Sequence, residues 1–140
     1  MFHNRDELTV SKVEMAKIQL DAAIAAFFER RLVIAITLAG AAEEIFGAML
    51  KRDGIQNSVE KIASLPPILA ISDRLKDRVD YLNNVRNNLK HASDKLEDDF
   101  TIADLDAFFM IVRALGNATL LGITHSEKMN EFSNFYKSKA

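Results

Sequence analysis

Leu32–Ala42 is a run of eleven residues without a single charge, and it constrains the fold more than any other stretch. A helix that is apolar all round has to be covered on most sides. The segment from Leu32 to about Lys51 is therefore expected at the centre of a helical bundle. The run is well short of the roughly 20 apolar residues that cross a bilayer, and the charges in Met1–Glu7 are not followed by the apolar stretch of a signal peptide. A soluble, cytoplasmic protein with no membrane association is the expectation. Five Gly and two Pro in 140 residues leave few breakers, and the absence of Cys excludes disulfides, zinc ribbons, iron–sulfur centres and thiol nucleophiles. The fold class is thus all-α, a compact bundle of about five or six helices. Residues 1–140 form one domain with a core over about 10–123.

Periodicity places the other helices. Val13, Ala16, Leu20, Ala23, Ile24 and Phe27 recur at three and four residues, which predicts an amphipathic helix over 10–29. Asp53-Gly54 stops the central helix, a short turn follows near 57–64, and Pro66-Pro67 breaks the chain. The next helix is expected over 73–91, with an acidic loop over 92–100 after it. Thr101, three residues before Asp104, predicts a capping box. The helix it starts should face inward with Leu105, Phe108, Phe109, Val112, Leu115 and Thr119. Residues 124–140 form a docking helix or tail, with Met129, Phe132 and Tyr136 on one side.

The helix over 73–91 carries the unusual residue. Leu75, Val79, Leu82 and Leu89 form its apolar stripe, and Arg86 stands where a further Leu would complete it. A guanidinium on a packed face needs a partner or a path to water. Glu43 is the candidate partner, because it shares one side of the central helix with Ile36, Ala39, Gly40, Gly47 and Leu50, small enough in part to admit another helix. The alternative is a snorkelling Arg86 with Glu43 at the helix margin. His91 follows Arg86 by five residues, about 140° away on an ideal helix, so the two share a site only if the helix ends there or a second chain completes it. His91 at a helix C-terminus also has a plain structural use, bonding the last carbonyls.

The string Arg86-Asn87-Asn88-Leu89-Lys90-His91 resembles the Arg-x4–6-His motif of the HEPN superfamily, small helical bundles of which many are metal-independent endoribonucleases. The helix order over about 10–123 is similar to that family as well. The resemblance implies a homodimer whose shared cleft cleaves RNA. His91 would move protons, Arg86 would stabilise phosphorane charge, and Asn87 would orient. It further implies the setting of a toxin–antitoxin or defence pair with an antitoxin protein as partner. Such residue types suit the chemistry, since His titrates near neutrality and Arg offers a fork of donors to phosphate.

Other features bear on this expectation. Arg74, Lys76, Arg78, Arg86 and Lys90 face only Asp77 and Asp80 between 74 and 90, a basic patch suited to phosphate. An acidic run over 94–106 opposes it. No metal and no cofactor is expected, because Asn88 and Gly122, three residues before His91 and His125, occupy the place of Glu in a Glu-x-x-His carboxylate site. A homodimer is expected on physical grounds too, from the Arg in the stripe and the apolar surface of the central helix. The alternatives are a non-catalytic dimerisation or scaffold module, and a domain binding a nucleotide or other phosphate ligand through Arg86 and Lys90.

Overall fold

The structure, a computed structural model, describes residues 7–90 and 99–139. Eight helical segments occur among the described residues: α1 (Lys12–Phe28), α2 (Leu32–Arg52), α3 (Ser58–Ala63), α4 (Pro66–Leu69), α5 (Leu75–Leu82), α6 (Asn84–Asn88), α7 (Asp104–Leu120) and α8 (Glu127–Lys139). No strand occurs among the described residues. The all-α expectation holds, with α3, α4 and α6 as one-turn pieces beside five longer helices.

Helix α1 starts at Ser11, whose hydroxyl accepts from the Glu14 N–H at 3.1 Å. This N-cap satisfies one of the donors that a first turn leaves open. The α1–α2 turn passes through Arg30, a non-glycine residue at φ 59°, in the left-handed region that costs an L-residue about 1 kcal/mol or more. The Arg30 guanidinium also forks onto Asp104, the first residue of α7, with Nη2 to Oδ1 at 2.9 Å.

Helices α1, α2 and α7 pack on one another, and α8 lies against α1. Ala16, Leu20, Ala23 and Ile24 of α1 meet Ala39, Ala42 and Phe46 of α2 and Met110, Ile111 and Ala114 of α7 in the main core. The expected central position of α2 is met. By length and composition α2 is also the one described helix that could cross a membrane, and in this fold α1 and α7 cover it. Met129 and Phe132 of α8 are fully buried, so the core runs past the expected bound at 123. Burying Phe132 is worth about 1.5–3 kcal/mol. Its ring lies 5.8 Å from Phe27 and 5.5 Å from Phe108. The Ser126 hydroxyl, donating to Asp21 Oδ1 at 2.6 Å, pins the start of α8 to α1.

Four local expectations are corrected. Pro66 opens α4 instead of breaking the chain, because a proline at the first helical position lacks only an N–H that would have no partner there. The helix expected over 73–91 is split at Asn83 and ends at Asn88. Helix α7 starts after Ala103, where the Asp106 carboxylate accepts the Ala103 N–H at 2.8 Å, so the cap lies two residues beyond Thr101. Its buried face is Ala107, Met110, Ile111, Ala114 and Ala118, whereas Leu105 and Phe109, expected inside, are 58% and 51% exposed. Phe108 sits between, stacked on Tyr136 at 5.6 Å.

Candidate functional site

Where α2 meets α6 and α7 it carries a buried ionic network. Glu43, 3% exposed, stands at its centre. Arg86 Nη1 donates to Glu43 Oε2 at 2.7 Å, and Arg113 Nη2 donates to Oε1 at 3.2 Å. Two guanidiniums thus share one carboxylate, each from a different helix. Arg113 continues outward, with Nη2 to Asn83 Oδ1 at 2.6 Å and Nη1 to the Leu82 carbonyl at 3.1 Å. These bonds hold the two residues at which α5 gives way to α6. Asn117, fully buried, donates to the Glu43 carbonyl at 3.2 Å and accepts from the Ser58 N–H at 2.7 Å. It ties α2, α3 and α7 together.

Small residues on α2 make the space. A Cβ added at Gly40 would lie 2.6 Å from Arg86 Cδ and 3.0 Å from Cγ. At Gly47 it would meet the side-chain amides of Asn117 and Asn57 at 3.4 Å. The small-residue face was expected to let another helix approach closely. At Gly40 and Gly47 the space takes the Arg86 stem and two asparagine amides.

Burial dominates the electrostatics of Arg113. It pulls the guanidinium below its ordinary range, Glu43 opposes that pull, and nearby Arg86 adds to it. The Nε–H groups of both Arg86 and Arg113 are buried and have no hydrogen-bond partner among the described residues. A lone carboxylate with two buried cations leaves the interior with excess positive charge, which is what an anion at the edge would relieve.

That edge is occupied by Glu44. Arg86 Nη2 and Lys90 Nζ approach its Oε1 at 3.2 and 3.5 Å. Glu44 and Lys90 are about half exposed, so the pair opens to solvent while Arg86 stays inside. Beside them is a polar hollow of about 220 Å³ lined by Glu43, Glu44, Lys51, Asn57, Glu60 and Arg86 among others. Three carboxylates against two cations make the hollow itself a poor phosphate site. The favourable position is the Arg86–Lys90 edge, where two cations converge on one oxygen.

The other expected residues fare differently. Asn87 is half-buried, and its side chain makes no hydrogen bond among the described residues. His91 lies outside the described residues, as do 92–98 of the acidic loop. Helix α6 ends at Asn88, which removes the requirement that His91 follow a regular helix. The basic patch over 74–90 is largely consumed. Arg74 approaches Asp77 at 3.8 Å, Lys76 approaches Asp80 at 3.5 Å, and Arg78 is buried against the carbonyls of Ala63 and Ser72 at 2.9 and 2.8 Å. Leu75 of the supposed apolar stripe is 42% exposed, while Arg78, Asn83 and Arg86 are the buried residues of α5, α6 and their junction. Comparison with family models, curated proteins and solved structures finds no match to this chain.

Proposed function

We propose that this chain is a HEPN-like helical homodimer that acts as a metal-independent endoribonuclease, of the kind paired with an antitoxin protein or used in defence. The convergence of Arg86 Nη2 and Lys90 Nζ on a single Glu44 oxygen supports the reading. A carboxylate held by two cations marks a position that a phosphate oxygen can take. Glu43 keeps the Arg86 guanidinium fixed from behind, so no reorganisation is needed when charge develops on phosphorus. His91 follows directly after Lys90 and supplies the proton carrier.

Purified protein should cut single-stranded RNA in the presence of a chelator and leave a cyclic phosphate. His91→Ala should abolish cleavage while dimer mass and helicity stay unchanged, and Lys90→Ala should weaken it. Glu44→Ala should tighten RNA binding severalfold, because it removes the resident competitor. An RNA pool left intact by the parent, or cut equally by His91→Ala, overturns the nuclease reading.

The burial of Arg86 at 8% exposure favours a second reading, a non-catalytic helical module in which Arg86 is an internal tie. Under that reading Glu44→Ala leaves RNA and labelled-nucleotide binding unchanged. Nucleotide binding without cleavage, lost in Lys90→Ala, would instead support the phosphate-ligand alternative.

A further inference from the structure

A second groove lies between α3, α7 and α8, with a volume of about 420 Å³. This falls in the range of about 300–1,000 Å³ that holds small organic ligands. Its floor is apolar, built from Val112, Leu115, Leu120 and Phe132. Gly116 on the same wall allows α3 to come close, since a Cβ there would meet Ser58 Oγ at 2.5 Å.

Polar groups line the groove with one sign of charge. Lys61 of α3 and Lys137 of α8 both line it, no carboxylate does, and neither lysine has an ion-pair partner among the described residues. In a chain of net charge −2, a groove with two unpaired cations and no acid is a local departure from the whole. At the end where α7 turns towards α8, Thr119 Oγ1 lies 2.9 Å from His125 Nε2 and donates its one proton to the Leu115 carbonyl at 2.9 Å. Thr119 must then accept, which places the hydrogen on His125 Nε2. This end of the groove is already internally satisfied, so the unmet charge is that of the lysines.

We infer that the groove binds a small amphipathic anion, a carboxylate with an alkyl tail, whose tail covers the Leu115–Phe132 floor and whose head is held by Lys61 and Lys137. An apolar floor with a cationic rim matches that chemistry and disfavours an amine of the same length.

Isothermal titration of the full chain with octanoate, 1-octanol and octylamine tests it. Octanoate should give saturable binding, with octanol about fivefold weaker and octylamine weaker still. The double variant Lys61→Ala/Lys137→Ala should weaken octanoate about fivefold and leave octanol unchanged. Ser133→Trp should block both ligands, and Thr119→Trp gives the same test if Ser133→Trp loses helicity by circular dichroism. Octylamine binding as tightly as octanoate, octanoate binding retained in both tryptophan variants, or no saturable octanoate heat would each overturn the inference. So would a dimer that dissociates in the tryptophan variants, because the groove would then be a contact between chains.

Discussion

The two sides of α2 are held by different physics. Towards α1 the contacts are apolar, with Ala39, Ala42 and Phe46 of α2 in the main core, a core that Phe27, Phe108 and Phe132 of α1, α7 and α8 continue in mutual ring contact. Towards α6 and α7 the buried residues include Glu43, Arg86, Arg113, Asn83 and Asn117. Apolar packing is non-directional and tolerates swaps of similar volume. A buried polar network does not, because each lost partner strands another group out of water. One α2 therefore has a forgiving face and an exacting one.

The sharpest test sets matched substitutions on the two faces against each other. Glu43→Ala should cost about 3–5 kcal/mol, since it leaves two buried guanidiniums without their shared anion, and Phe132→Ala should cost about as much through its cavity. Urea unfolding of the conservative pair separates the faces: Phe132→Leu should lose less than about 1.5 kcal/mol, whereas Glu43→Gln should keep most of the full penalty. Equal mildness of the two would erase the contrast. At the next level down, Arg86→Ala and Glu43→Ala should be non-additive, with a coupling of about 0.5–3 kcal/mol in a double-mutant cycle.

Two glycines extend the comparison to smaller effects. Gly40→Ala improves helix propensity by about 0.5–1 kcal/mol, yet the new methyl meets the middle of a pinned Arg86 side chain. A net loss of about 1–3 kcal/mol is expected, vanishing in the Arg86→Ala background. At Gly116 the obstacle is the Ser58 hydroxyl, which can turn away. Thermal melts of Gly116→Ala should therefore stay within about 0.5 kcal/mol of the parent. A large loss there and none at Gly40 would show that the Ser58 contact is the rigid one and that the Arg86 side chain can give way.

How much of this was legible in the sequence follows the same division. Central α2 and the Glu43–Arg86 pair could be read, because an uncharged run and an arginine on an apolar stripe are departures visible without coordinates. The expected dimer rested partly on that arginine, and the chain absorbs it internally. Arg113 and Asn117 were missed because α7 was phased by its bulky residues. Its buried stripe is mostly alanine, at 107, 114 and 118, and alanine marks a face weakly while Leu105 and Phe109 suggest the wrong one. A stripe of alanines spaced at seven and four would have pointed to Ile111, whereas Arg113, two residues on and about 160° away on an ideal helix, lies off that stripe. The split at Asn83 was hidden for another reason. It depends on Arg113 holding the Leu82 carbonyl and the Asn83 side chain, a contact 31 and 30 residues away that no local pattern encodes.

The shared carboxylate also orders events in time. Arg86 lies 43 residues from Glu43 along the chain and Arg113 lies 70. The α1–α2 hairpin can close early from local contacts while Glu43 stays hydrated, but the carboxylate cannot leave water until both distant arginines arrive. The last water to depart from this side of α2 is thus a late, cooperative step. A nascent chain that has not yet produced α7 holds α2 with one flank open.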